Sequence, residues 1–338
     1  MKKKIFLAII LIILFSTNCS IMESDKNKPL DKPDDDQYVL RFADIWGDNH
    51  PTVIGDKEFA RLVKKRSNGK VKIIVYTNAQ LGDEQSVLDQ VRLGGIDFAR
   101  VNTSIVGKIN FKMSILTLPY LFRDSEHLWD VLNGSVGEEL LDSINDVGLK
   151  GLAFYDSGSR SFYSKKSISS IEDLSKLKIR VTESDTSEEF IRLIGASPVQ
   201  MPFGEVYDAL QQDFIDAAEN NWTSFLYSNH YLIAKYYILD CHTVTPEIII
   251  VNNKTFNNLP KKYQEIIISS AKDSIKVQRE SWERTEKETE KIIRNLNIEI
   301  INVSDEEKNK LKLKIMPLYE DYTKKYKNLI DQIENTKK

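Results

Sequence analysis

The chain of 338 residues is 41% hydrophobic and 29% charged, with 47 basic against 50 acidic side chains. That balance excludes a disordered or fibrous chain and leaves room for two globular domains. A net charge of −3 lacks the basic footprint of a nucleic-acid binder, and two cysteines are too few for a thiolate metal cluster.

The amino terminus reads as an export signal: Lys2, Lys3 and Lys4, an apolar run from Ile5 to Phe15, then Ser16, Thr17, Asn18 and Cys19. Eleven apolar residues fall short of the roughly 20 that a membrane-spanning helix needs, so residues 1–18 are expected to be cleaved and the mature protein to be periplasmic. Their loss removes three lysines and no acid, leaving 44 bases (47 less three) against 50 acids. Cys19, directly after the apolar segment, is the expected lipidated first residue, which would hold the protein at a membrane surface and leave Cys241 alone. Ser16 and Asn18 depart from the usual lipoprotein pattern, and a plain secretory cut nearby is the alternative. Residues 19–37, polar, charged and containing proline, read as a flexible tether.

From Tyr38 the elements alternate. A strand YVLRFA is followed by a helix from about Pro51 to Ser67, with Phe59, Leu62 and Val63 on one face, ending at Asn68 and Gly69. Then come the strand VKIIVY, a helix carrying Val87, Leu88 and Val91 that ends at Gly94, and the strand IDFARV. This β-α-β-α-β order predicts a parallel α/β sheet. Further strands are expected at 150–155, 160–164, 177–182 and 214–218, with helices between them, forming a second α/β unit. Lys261 to about Asn295 contains no proline or glycine and predicts a helix of about 35 residues, roughly 52 Å long, enough to span two domains. A strand IEIINV and a last helix opened by Ser304 and Glu307 as a capping box close the chain.

No catalytic motif is present: there is no GxSxG, HExxH, Walker A or GxGxxG, and the four histidines stand apart at 50, 127, 230 and 242. No cofactor and no metal site is expected. What stands out is a set of polar groups at strand ends. Arg160 follows the turn Ser157–Ser159. Arg180 lies in LKIRVT on the face opposite Leu177, Ile179 and Val181. The segment PFGEVYDALQQDFIDAAENN closes an apolar run with Glu219, Asn220 and Asn221, groups that are costly to bury unpaired. Taken singly, the arginines fit a solvated surface, Asn220 and Asn221 a turn, and Phe203 and Trp222 a core.

The block SIEDLSKLKIRVTESDTSEEFIRLIGASPVQMPFGEVYDALQQDFIDAAENN resembles the centre of the solute-binding proteins of tripartite ATP-independent periplasmic (TRAP) transporters. Their pattern is an arginine strand followed by LGAxPxxMPFxEVYxALQxGxxDxxEN. QLGDE at 80–84 and NLP at 258–260 fit as well, and the similarity runs from about Tyr38 to the end. Ile194, Asp213 and the pair Ser175–Lys176 depart from the pattern.

The resemblance implies two hinged α/β domains of the periplasmic-binding-protein kind, 38–157 with 246–285 and 158–245 with 286–338, closing over a ligand. It implies that Arg180 pairs with a ligand carboxylate, with Arg160 as second arginine, Phe203 packing on the ligand and Asn220 bonding its acid end. Glu84 and Asn102 match polar positions on the opposite domain, and Asn221 and His50 offer partners for hydroxyls; His50 also fits a plain helix entry. The implied partners are a small organic acid and the membrane subunits of a TRAP transporter. The variants GSRSFY and AENNW are most like members that bind sugar acids such as uronates, though a dicarboxylate fits Arg180 equally well. A secreted hydrolase acting on sugar acids and a sensory binding protein are the alternatives.

Overall fold

The computed structural model describes residues 37–336. The expected signal, Cys19 and all of the tether but Gln37 lie outside the described residues.

The first half alternates as its sequence directs. Strand β1 (Tyr38–Ala43) leads to helix α1 (Pro51–Arg66), where Pro51 supplies a preset φ at the first turn and Lys64, Lys65 and Arg66 face the negative end of the helix dipole. After β2 (Val71–Tyr76), α2 (Glu84–Leu93) is capped by Asp83 and stopped by Gly94 at φ +79°. Then follow β3 (Phe98–Asn102), α3 (Thr103–Val106), α4 (Ser125–Leu132), α5 (Ser135–Ser143) and β4 (Leu149–Tyr155). The second half holds β5 (Ser159–Ser164), β6 (Lys178–Val181), α6 (Asp185–Leu193), β7 (Ser197–Gln200), α7 (Val206–Gln211), β8 (Ala217–Asn220), α8 (Trp222–Tyr227) and β9 (Tyr236–Val244). The chain ends with β10 (Glu247–Asn252), α9 (Asn253–Asn258), α10 (Lys261–Arg294), β11 (Glu299–Asn302), α11 (Asp305–Lys314) and α12 (Met316–Asn335).

Two sheets result. One has the order β2-β1-β3-β10-β4, with β1 and β3 parallel and β10 antiparallel to both its neighbours. The other has the order β11-β9-β5-β8-β6-β7, with β6 parallel to β7 and β8. The chain crosses between them directly after β4 and after β9, and a third time from β10 to β11 through α10. The crossing after β4 is clamped by α10: Gln278 Nε2 donates to the Asp156 carbonyl at 2.9 Å, and the Asp156 N–H donates to Gln278 Oε1 at 2.8 Å.

Three differences from the sequence reading matter. The strand expected at 214–218 runs instead over Ala217–Asn220, because Asp213 turns the chain at φ +60° after α7 and Phe214 is left 58% exposed. Asp213 stands where the resembling pattern has glycine, the residue at ease in that conformation. The last helix is two, α11 and α12. Strands β7, β9 and β10 were not foreseen; β10 is buried on both faces, so its EIIIVN run shows no alternation to read.

Helix α1 packs tightly on α10 at Gly55. A methyl group there would lie 2.7 Å from Gln278 Cβ and 2.8 Å from the Tyr155 ring. Gly55→Ala is therefore expected to destabilise the fold by about 1–3 kcal/mol through overpacking, read as a lower midpoint in urea unfolding.

Candidate functional site

The eight expected site residues, Arg180, Arg160, Asn220, Phe203, Glu84, Asn102, Asn221 and His50, all line one cavity of about 360 Å³, within the size range of small-ligand sites. Its two walls come from the two sheets.

On the second-sheet wall, alternation along β6 sends Ile179 and Val181 to the core and Arg180 to the cavity. Arg180 is only 2% exposed. Its Nε and Nη2 both donate to the Met201 carbonyl, at 3.1 and 2.8 Å. A guanidinium has five N–H groups, so three remain, two of them on Nη1. No carboxylate among the described residues pairs with it. Burial lowers its pKa to about 10, with the nearby Arg160 charge adding to the effect and Glu219 opposing it. The Phe203 ring centroid stands 5.7 Å from the guanidinium carbon, a cation–π arrangement.

Arg160 is differently placed. Its Nε and Nη2 grip both Glu219 carboxylate oxygens, Nη2 also donates to the Glu219 carbonyl at 2.9 Å, and Nη1 donates to Asn220 Oδ1 at 3.0 Å. The antiparallel pairing of Ser161 with Asn220 and Phe162 with Glu219 brings these groups together. Behind Glu219 lies His242, its Nδ1 2.9 Å from Asp240 and its Nε2 3.6 Å from Glu219. Burial alone would lower the imidazole pKa, but the two flanking carboxylates raise it to about 9. Burial alone would raise Glu219, but Arg160 and His242 hold it at about 2. Asn221 is occupied structurally, capping α8 through Ser224 N–H and donating to the Ser157 carbonyl at 2.8 Å.

Because the folded pKa of His242 lies above its unfolded value, its contribution to stability is complete below about pH 6.5 and is lost as pH rises through about 9. Stability is expected to fall over that window by on the order of 3 kcal/mol, and the decline should vanish in His242→Gln, as read by unfolding at pH 6, 8 and 9.5.

The first-sheet wall is acidic. Arg100, 1% exposed, projects from β3 among Asp44, Glu84 and Glu247; its Nε donates to Asp44 at 3.0 Å, Nη1 to Glu247 at 2.8 Å and also to Glu84. Asn102 caps α3 and donates to Glu247 at 3.0 Å. Burial pushes Glu84 up to about 7 against the pull of Arg100, with Glu247 and Asp44 raising it further. Beneath them, burial and the Asp44 charge keep Asp56 well above the carboxylate range. Both Asp56 carboxyl oxygens are buried without a hydrogen-bond partner among the described residues.

His50 takes the helix-entry role and also lines the cavity. It caps α1, with Nδ1 accepting from the Thr52 N–H at 3.4 Å and lying 2.8 Å from Thr52 Oγ1. That places its proton on Nε2, which is buried beside the cavity without a protein partner among the described residues. Burial lowers its pKa to about 3, so it is neutral. Trp46 stacks on it at 4.2 Å and its ring touches Phe203, with centroids 5.1 Å apart, both rings lining the cavity.

Asp44, Trp46, Arg100, Glu247 and His242 escaped the sequence reading. Arg100 inside the apolar FARV strand and Glu247 opening EIIIVN were the available signals: a charge in a buried strand requires a partner. Trp222 is core, stacked on Tyr237 at 3.9 Å. The arrangement as a whole suits binding an anion at one end and hydroxyl donors at the other.

The family description "Bacterial extracellular solute-binding protein, family 7" matches residues 42–325. A solute-binding protein of Chromohalobacter salexigens is 31% identical over 290 residues, covering 86% of this chain and 86% of its own. A TRAP periplasmic solute-binding protein from Xanthobacter autotrophicus Py2, solved with bound β-D-galacturonate, has TM-score 0.84 and 36% identity, covering 88% of this chain and 99% of that one. Another, from Pseudomonas putida F1 with bound D-glucuronate, has TM-score 0.85 and 31% identity over 88% and 97% of the two chains.

Proposed function

The chain belongs to family 7 of the bacterial extracellular solute-binding proteins, the solute-binding component of TRAP transporters, and from that premise we propose that it captures a hexuronate and releases it unchanged to the transporter's membrane subunits. The observation that carries this reading is Arg180: a buried guanidinium with three N–H groups left over and no carboxylate of its own. Its planar fork gives a carboxylate two parallel charge-assisted hydrogen bonds. Phe203 and Trp46 cover the apolar face of a sugar ring, and Glu84, Glu247, Asn102 and His50 meet its hydroxyls. The uronates bound by the Xanthobacter and Pseudomonas proteins support the choice of acid.

The moving parts in this reading are residues 38–157 with 246–285 and 158–245 with 286–338, turning about the two strand crossings and along α10. Cys19 carries the lipid that keeps the protein beside its membrane partners; intact-mass measurement of the exported protein tests that part separately.

Thermal unfolding with galacturonate and glucuronate tests the capture step. A ligand at about 100 times its Kd stabilises by about 2.7 kcal/mol, so a clear rise in Tm with either uronate is expected, with the ligand recovered unaltered afterwards. No shift with any uronate overturns the reading, and release of a free uronate from an added uronoside assigns the site to a hydrolase.

A further inference from the structure

The cavity is electrically two-ended. On the second-sheet wall Arg180 and Arg160 line the cavity, and together with protonated His242 behind them they outweigh Glu219 and Asp240. On the first-sheet wall, Arg100 stands against three carboxylates, Asp44, Glu84 and Glu247, all within ion-pair distance of it. One guanidinium does not neutralise three carboxylates, so that wall stays net negative, and Asp83 adds a further acid at its rim. Glu84 and Glu247 both line the cavity. With Arg100 and Asn102 bonded on one side, their remaining lone pairs accept hydrogen bonds and offer no donor to an anion.

We infer that Glu84 and Glu247 form a rejection element that restricts this site to monocarboxylic sugar acids and turns away diacids of the same length. The inference rests on the reading of Arg180 as the carboxylate anchor. Once a ligand's acid is fixed there, its far end points to the first-sheet wall. A hydroxyl or ring hemiacetal at that end donates to a carboxylate; a second carboxylate meets like charge, and Arg100, the cation of that wall among the described residues, is already paired with acids. From sequence alone, a dicarboxylate satisfies Arg180 as well as a uronate does, and the opposite wall is what separates them.

Titration calorimetry with galacturonate and with galactarate, its diacid counterpart, tests this on the full mature chain. The wild type is expected to bind galactarate at least tenfold more weakly than galacturonate; affinities within tenfold overturn the inference. In Glu84→Gln and Glu247→Gln, which keep the side-chain shape and remove the charge, galactarate affinity is expected to rise. Unchanged or weaker galactarate binding in both folded variants also overturns it.

A measurement on the wild type does not depend on those variants folding. Glu84 faces Arg100 on β3, Asp44 after β1, Glu247 on β10 and, across the cavity, Arg180. Protonation of Glu84 below about pH 7 weakens the repulsion, so the preference for galacturonate should narrow from pH 8 to pH 5.5. A constant ratio contradicts the assignment. Failure of the wild type to bind either uronate is a different result, and counts against the capture reading itself.

Discussion

Arg180→Lys is expected to weaken uronate binding by two orders of magnitude or more while leaving the ligand-free fold intact. The guanidinium holds the Met201 carbonyl through Nε and Nη2, and in the proposed reading Nη1 with the second Nη2 hydrogen takes the ligand carboxylate. An ammonium on a flexible stem is a point charge and does not hold both acceptors in one plane. Each charge-assisted hydrogen bond contributes about 1.5–3 kcal/mol, and every 1.4 kcal/mol is about tenfold in affinity, so the loss of one or two bonds gives the stated range. Arg180→Met sharpens the point. It removes a buried charge that has no carboxylate partner among the described residues and gives up the two hydrogen bonds to the Met201 carbonyl, so stability without ligand should change by no more than about 3 kcal/mol, while binding disappears. Calorimetry together with urea unfolding separates the two effects. A folded lysine variant with unchanged affinity would take Arg180 out of the site.

The opposite pattern is expected at Glu219. Glu219→Ala strips Arg160 of its bidentate partner and leaves two buried cations, Arg160 and His242, next to each other. Breaking a buried ion pair from one side costs about 3–5 kcal/mol, a large part of the 5–15 kcal/mol that is typical of a folded domain. Glu219→Gln, which keeps the hydrogen-bonding shape without the charge, should cost less. Urea denaturation of both variants measures this, and a change below about 1 kcal/mol in the alanine variant would mean the Arg160–Glu219–His242 chain carries little of the fold. The two arginines thus divide the work. Arg160 is fixed by protein groups and sets the wall, whereas Arg180 is held by one carbonyl and left open toward the cavity.

How legible this was from sequence differs from element to element. The β1–α1–β2–α2–β3 order was readable because its apolar periodicity and end signals, Pro51 and Gly94, act locally, and the long α10 because no proline or glycine interrupts it. The position of β8 was not, because Asp213 adopts a left-handed turn usually left to glycine and shifts the strand by three residues. The residues of the second-sheet wall were found through a resemblance, and alternation along LKIRVT independently put Arg180 opposite the core face. The acidic wall was hidden: Arg100 is 56 residues from Asp44 and 147 from Glu247 in sequence, and the pairing of β3 with β1 on one side and β10 on the other brings them together. Arg160 shows the remaining limit. Its presence at the cavity was foreseen, but its commitment to Glu219 depends on strand register, which no single segment encodes.

A crystal structure of the protein with galacturonate tests the central claim most directly. The account places the ligand carboxylate about 3 Å from Arg180 Nη1 and Nη2, with the ring lying against Phe203 and Trp46 and the hydroxyls toward Glu84 and Glu247. A carboxylate seated on the Glu84–Glu247 wall, or a uronate bound outside this cavity, would contradict it.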